Sequence, residues 1–198
     1  MDHPLLARIY DAALTPAERA GVRDQRRRLM DGVVGRVVEI GAGTGLNVPH
    51  YPASADEVHA VEPDRHMLRR LAARSTTSPV PLYVYRGDAH RLPFGDEVFD
   101  AAIITFALCT IPDPRRALDE THRVVRPGGV LRFLEHVRSS SERTARWQDR
   151  LTPWWGKVAG GCRLNQPTVE ILSATHWAVD DVWRSGRGAI VAGQAFRG

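Results

Sequence analysis

Arg36-Val37-Val38-Glu39-Ile40-Gly41-Ala42-Gly43-Thr44-Gly45 is the stretch on which the fold turns. Its first half, rich in β-branched residues, reads as a short buried strand, and three glycines in five positions end it. Glycine supplies a tight turn and lets backbone lie where a Cβ would collide. Working outward, Glu57-Val58-His59-Ala60-Val61-Glu62 is a second strand-like run, and the interval between the two leaves room for a loop and a crossover helix. Similar runs recur at residues 82–85, 101–105 and 130–134, with helical patterns at 66–74 and 114–125 between them. Alternating strands and helices predict a mostly parallel sheet covered on both faces.

The ends of the chain complete the outline. Residues 5–30 carry apolar positions at helical spacing, interrupted at Leu14-Thr15-Pro16. That pattern predicts two helices, the second capped by Thr15 with Pro16 at its first position and Glu18 at its third. Near the other end, runs at 178–183 and 189–196 flank Arg184-Ser185-Gly186-Arg187-Gly188, a connection short enough for a hairpin. An antiparallel C-terminal strand is therefore expected to end a seven-stranded sheet. The whole reads as one domain, 1–198, with a helical lid at 1–31 and a core at 36–198.

With 198 residues, 43% hydrophobic and 25% charged, the chain has the make-up of an ordinary folded domain, which excludes disorder as its main character. No apolar run approaches the roughly 20 residues of a membrane helix. Met1-Asp2-His3-Pro4 lacks the features of a signal peptide, so a cytoplasmic protein without a membrane span is expected. The net charge is +4 and Lys157 is the only lysine. The densest basic stretch, 23–28, has no interleaved aromatics and reads as a solvated face, so no nucleic-acid partner is expected. The two cysteines, Cys109 and Cys162, form neither a CxxC pair nor a compact group with histidines in the sequence; they read as free thiols, and no metal site is expected.

In open α/β sheets, ligands bind beyond the carboxyl ends of the strands where strand order reverses. Gly41, Gly43 and Gly45 sit at such an end, and a helix expected after them offers unpaired N–H groups. Glu62 closes the second strand, with a carboxylate suited to a ribose diol, and Gly87-Asp88-Ala89 puts an acid after the third. Asp100 opens the strand that follows. A dinucleotide fingerprint requires a third glycine at position 46, where Leu46 stands, so the spacing GxGxG fits a ligand without a pyrophosphate.

These segments together resemble the class I S-adenosylmethionine-dependent methyltransferases. Val38 to Gly45 resembles their first motif, Val61-Glu62-Pro63-Asp64 their ribose-binding acid, Gly87-Asp88-Ala89 their adenine-side motif, and Arg123-Val124-Val125-Arg126-Pro127-Gly128-Gly129 the turn before their fifth strand. The resemblance implies a Rossmann-like α/β fold and S-adenosylmethionine as cofactor. It implies Tyr10, Glu39, Gly41, Ala42, Gly43, Gly45, Asn47, Glu62, Pro63, Met67, Asp88, Ala89, Thr105 and Leu108 as cofactor-binding residues. Ala107-Leu108-Cys109-Thr110-Ile111, Phe133-Leu134-Glu135-His136-Val137 and Gly160-Gly161-Cys162-Arg163-Leu164 resemble the narrower methyltransferase-like group that includes thiol methyltransferases. More distantly, the chain is similar to quinone-biosynthesis and phospholipid methyltransferases.

Methyl transfer from a sulfonium is an in-line displacement that proximity and orientation can drive without a covalent intermediate. A thiol, hydroxyl or amine acceptor must still lose a proton, and histidine suits that task at neutral pH. His136, with Glu135 beside it, follows the fifth strand and is the catalytic candidate; a structural hydrogen bond is its alternative. Neighbours in an extended chain point oppositely, so one of the two is expected to face the pocket. Tyr10 and Asp11 are read as lid residues over the cofactor or as packing. Trp147, Trp154, Trp155, His176 and Trp177 are read as lining an acceptor pocket or packing on the sheet. The acceptor is expected to be a small molecule, a thiol first and a quinone or lipid head group second. A cofactor-binding regulator without turnover stands as the alternative from another class.

Overall fold

The computed structural model describes residues 4–198, so the first three positions of the expected lid lie outside the described residues. One sheet contains β1 (Gly35–Ile40), β2 (Ala55–Glu62), β3 (Leu82–Arg86), β4 (Phe99–Thr105), β5 (Val125–His136), β6 (Trp177–Ser185) and β7 (Ile190–Arg197). Their spatial order is β3-β2-β1-β4-β5-β7-β6. The first five strands run parallel, and β7 is antiparallel to both β5 and β6. The expected hairpin is present, but β7 lies between its neighbours and β6 forms the edge. Composition explains the placement: β7 buries Val191, Ala192 and Ala195, whereas β6 carries Asp180, Asp181 and Arg184, charges that suit an edge strand.

Alternate strand residues feed two cores, as a period of two requires. Val38, Ile40, Ala102, Ile104, Leu131 and Phe133 pack on one face with Leu118 of α4 (Pro114–Val124) and Leu172 of α6 (Thr168–Ser173). Val37, Ala101, Ile103 and Leu134 pack on the other with Leu29 and Met30 of α2 (Arg23–Met30) and Leu71 of α3 (Arg65–Ser75). The remaining long helix, α5 (Glu142–Val158), leaves Trp147 and Trp154 exposed.

Three local expectations are corrected. Helix α1 (Pro4–Ala17) runs through Thr15 and Pro16, because the Thr15 hydroxyl donates back to the Asp11 carbonyl instead of capping a new helix. The break comes at a π-helical turn (Glu18–Val22), where Gly21 has φ of 118°. No α-helix follows Gly45; the chain passes through turns into a 3-10 turn (Val48–His50). The proline-glycine turn at 126–129 bulges from the start of β5, between the pairings of Phe99 with Val125 and of Ala101 with Val130.

A buried polar network ties α2 to the first strand. Arg26, 3% exposed, donates from Nη1 to Asn47 Oδ1 (2.8 Å) and Thr105 Oγ1 (3.3 Å), while its Nε pairs with Glu18 (3.0 Å). Asn47 donates to Glu39 Oε1 and Thr105 Oγ1, both at 2.8 Å, and the Tyr51 hydroxyl donates to Glu39 Oε2. Burial pushes the Glu39 carboxyl up to about 7, against the hydrogen bonds from Tyr51 and Asn47 and the charge of Arg26.

The native state therefore holds a proton on Glu39 between its ordinary 4.5 and about 7, where the unfolded chain does not. Stability from this group falls as pH rises through that window. The stability of the wild type relative to Glu39→Gln should decline over the same window and be flat on either side. Denaturant unfolding across pH measures it, and a difference that does not change with pH would return Glu39 to ordinary behaviour.

Candidate active site

Strand order reverses at β1, which has β2 on one side and β4 on the other, so a crevice opens beyond the carboxyl ends of these strands. A cavity of about 800 Å³ occupies it. Its floor is formed by Gly41, Ala42, Gly43 and Thr44 after β1, Glu62 and Pro63 at the end of β2, Asp88 and Ala89 after β3, and Thr105 and Phe106 at the end of β4. Leu6, Tyr10, Leu14 and Arg26 roof it, and His136, Trp155 and Cys162 close its far end.

Glu62 is central to the floor. It is 7% exposed, not the surface carboxylate that a strand end suggests, and burial raises its pKa against two backbone donors. Gly43 N–H donates to Oε2 (2.8 Å) and Asp64 N–H to Oε1 (2.9 Å), so Glu62 also latches the glycine loop. Each carboxylate oxygen retains a lone pair. Asp88 is exposed, and the His90 N–H and imidazole hold its pKa low.

The three glycines divide by what surrounds them. A Cβ on Gly41 would stand 2.5 Å from Ala107 Cβ, and one on Gly45 2.9 Å from Leu71 Cδ1. At Gly43 nothing lies within 4 Å, and φ is +59°. Gly41 and Gly45 thus serve close packing, while the space beside Gly43 belongs to the cavity.

Helix α1 is fastened to this loop. The Thr44 hydroxyl donates to Asp11 Oδ1 (2.6 Å), and Asp11 Oδ2 pairs with Arg70 (3.0 Å) and Arg74 (2.7 Å) of α3. Burial pulls the Asp11 pKa up, but these partners outweigh it and hold the carboxyl below its ordinary value. Tyr10 faces the cavity with its phenol pushed well up, chiefly by burial.

At the far end, His136 Nδ1 is 3.6 Å from Cys109 Sγ and 3.5 Å from Cys162 Sγ, and the two sulfurs are 3.6 Å apart. The His136 ring packs 4.6 Å from Phe106. Cys109 is held well above the ordinary thiol range by its bond to Cys162 and by burial, while Cys162 is drawn below it by Cys109 and His136.

Of the expected site residues, Tyr10, Gly41, Ala42, Gly43, Glu62, Pro63, Met67, Asp88, Ala89, Thr105 and His136 line the cavity. Glu39, Asn47, Gly45 and Leu108 stand behind its wall, the first two in the buried network and the others in the core. Glu135 does not reach the cavity either, because its fully buried carboxylate accepts the N–H groups of Ala107 (2.8 Å), Leu108 (2.9 Å) and Cys109 (3.1 Å). Burial pushes this carboxyl up to about 7 against those three donors. Asp100 lies at the opposite edge of the sheet, paired with Arg126 at 2.7 Å. Of the five residues read as an aromatic pocket, Trp155 reaches the cavity; Trp177 is in the core, donating to the Leu118 carbonyl. Arg26, read as part of a solvated basic face, is a cavity residue that sequence reasoning missed, as are Leu6, Leu14, Phe106 and Ile111, and the Cys109-His136-Cys162 cluster is a grouping it missed.

The model of the family described as a methyltransferase domain matches residues 38–133. Thiol S-methyltransferase TMT1B of Homo sapiens is 31% identical over 173 residues, which cover 81% of this chain and 70% of that protein. The chain belongs to the class I S-adenosylmethionine-dependent methyltransferases. Demethylmenaquinone methyltransferase of Mycobacterium tuberculosis is 37% identical over 134 residues, 66% of this chain and 55% of that protein. Geranyl diphosphate C-methyltransferase from Streptomyces coelicolor, solved with S-adenosyl-L-homocysteine, aligns at 12% identity with a TM-score of 0.72, over 96% of this chain and 86% of that one.

This methyltransferase takes S-adenosylmethionine as cofactor, and the cavity fits it. The space beside Gly43, the lone pairs of Glu62 and a volume within the roughly 300–1,000 Å³ of small-ligand sites suit a nucleoside with a short charged tail. Two alanine variants separate packing from binding. Gly43→Ala should fold at a cost of about 1–2 kcal/mol for its left-handed backbone, yet lose most of its thermal stabilisation by S-adenosylhomocysteine. Gly41→Ala should unfold more readily, since its Cβ meets Ala107. Melting curves with and without S-adenosylhomocysteine test both, and an unimpaired ligand shift in folded Gly43→Ala would make that glycine a turn residue only.

Proposed function

We propose that this methyltransferase methylates the sulfur of a small, rather apolar thiol. The observation that carries the reading is one continuous cavity, whose Gly43-Glu62 half suits the donor and whose other half ends at His136, Cys162 and Trp155. The 31% identity to a thiol S-methyltransferase supports it.

In the donor half, Glu62 accepts the ribose hydroxyls and Asp88 the exocyclic amine of adenine. Arg26, a buried cation at the cavity wall, faces the carboxylate of the methionine end. Tyr10 and Leu14 of the lid exclude water over it. When bound, S-adenosylmethionine supplies an electrophilic methyl group on a positively charged sulfur. In the acceptor half, Phe106, Ile111 and Trp155 give an apolar surface, and the His136 cluster is where the acceptor's proton is released. That release matters because a free thiol is only a few per cent thiolate at pH 7, and the thiolate is the nucleophile.

A second reading, methylation of a quinol ring, is favoured by the mycobacterial relative and by the apolar acceptor half. Methyl transfer from labelled S-adenosylmethionine to alkyl and aryl thiols, compared with hydroquinones, separates the two. Thiol product is expected; labelled hydroquinone with no thioether would reverse the assignment. His136→Ala should lower thiol turnover roughly 10- to 100-fold at neutral pH, the penalty of relying on the few per cent of acceptor already ionised, while leaving cofactor affinity near wild type. Its activity should recover as pH rises toward the pKa of the acceptor. Full activity in the variant, or a loss without recovery at high pH, makes His136 a structural residue.

A further inference from the structure

Cys109, His136 and Cys162 come from three separate segments, 27 and 26 residues apart, and meet at the end of the acceptor half. The two cysteines are held from behind. The Glu135 carboxylate receives the Cys109 N–H at 3.1 Å, and Arg163 N–H donates to the Cys109 carbonyl at 2.8 Å, tying the Cys162 loop to the turn after β4. Gly160 and Gly161, with φ of +62° and +89°, fold that loop back so that Cys162 reaches the cluster. Cys109 is fully buried behind the cavity wall, while His136 and Cys162 stand in it.

The three edges of this triangle are 3.6, 3.5 and 3.6 Å. Tetrahedral zinc, with sulfur at about 2.3 Å and nitrogen at about 2.0–2.1 Å, sets ligand separations of about 3.8 Å between sulfurs and about 3.5–3.6 Å between sulfur and nitrogen. The donor atoms therefore stand where one face of a zinc tetrahedron needs them. Hydrogen bonds account for individual edges; a common bonded centre accounts for all three together. Soft thiolates with an imidazole select zinc over magnesium or calcium, and three protein ligands with an open fourth position are the pattern of catalytic zinc.

We propose that Cys109 Sγ, Cys162 Sγ and His136 Nδ1 bind a zinc ion whose fourth position opens on the acceptor half and takes the sulfur of the substrate. The inference rests on the thiol reading above and says how that thiol is ionised. On coordination the acceptor loses its proton to solvent, since a thiol bound to zinc is deprotonated outright. Two cysteine thiolates balance the charge of the ion, so the bound substrate thiolate leaves the centre with one net negative charge, opposite to the sulfonium. The thiolate lone pair attacks the methyl carbon, and the carbon–sulfur bond of the sulfonium breaks with its electron pair passing to the departing sulfur. The products are neutral S-adenosylhomocysteine and a thioether, a weak ligand that leaves. No electron is gained or lost overall, and His136 acts as a ligand holding the ion that ionises the substrate.

The test uses the full chain, reduced and freed of metal by a chelator, then titrated with cobalt(II). One equivalent should give the intense visible bands of tetrahedral cobalt and a thiolate-to-cobalt charge-transfer band, both removed by zinc. Cys109→Ser, Cys162→Ser and His136→Ala should each weaken these bands, with the melting shift by S-adenosylhomocysteine showing that the variant is folded. Benzenethiol should alter the cobalt spectrum, and methyl phenyl sulfide should not. Zinc should raise methylation of an alkyl thiol of pKa about 8.5 by the metal-free protein roughly 10- to 100-fold at pH 7, the gain from ionising a thiol that is a few per cent thiolate. Thiol methylation undiminished in metal-free protein that takes up no cobalt overturns the zinc site and leaves the thiol reading standing. Tetrahedral cobalt that ignores benzenethiol, in a protein that methylates no thiol, keeps the metal and overturns both the fourth-position assignment and the thiol reading.

Discussion

Three consecutive backbone N–H groups, of Ala107, Leu108 and Cys109, converge on the buried carboxylate of Glu135, and the shape of the far end of the cavity depends on that convergence. The turn after β4 begins at Phe106, a non-glycine residue with φ of 52°, a left-handed conformation that costs about 1–2 kcal/mol. Without Glu135 the three donors would be buried and unpaired, at about 1–3 kcal/mol each. The carboxylate thus makes a strained turn the favoured one. That turn presses Ala107 against Gly41, which fixes the glycine loop, and sets Cys109 beside His136. A single interaction in the core therefore aligns the glycine loop with the His136 end of the cavity.

Glu62 does the corresponding work on the other side. Its two oxygens hold Gly43 and Asp64, and Asp64 in turn caps α3 through the N–H groups of His66 and Met67. Arg74 of the same helix reaches back to the Thr44 carbonyl at 2.8 Å and to Asp11 of the lid. The lid, the loop and the helix are thus joined by charge-assisted bonds around the cavity, each stronger than a neutral hydrogen bond. The roof is attached beside the glycine loop, so the elements that enclose this end of the cavity already share partners.

The parallel strands were legible because each fills both cores with apolar residues, a pattern that needs no knowledge of neighbours. The glycine loop was legible for the same local reason. Tertiary competition hid the rest. The Thr15 hydroxyl has two uses, a cap or a bond to the carbonyl four residues back, and the sequence does not rank them. Arg26 was hidden among exposed arginines, yet Val22, Arg26, Leu29 and Met30 form one helical stripe, and that stripe was the signal that position 26 faces inward. Alternation in β5 predicted that one of Glu135 and His136 faces the cavity, but not which. The cysteine-histidine cluster had no local signature, because its spacings are set by the lengths of a strand, a helix and their loops.

What distinguishes the two acceptor chemistries is the softness of the groups at the end of the cavity. A quinol and a thiol both require an ionised nucleophile, and an imidazole alone would serve either. Two sulfurs beside that imidazole would change the preference, because a zinc ion held there would be of borderline softness and favour sulfur ligands as well as nitrogen. Oxygen nucleophiles gain less from such a centre than thiolates do. Geometry adds to this, since an in-line attack needs the acceptor atom within about 3–3.5 Å of the methyl carbon, and a coordinated sulfur is fixed in place before the donor approaches. The same three side chains that would ionise the acceptor would also aim it.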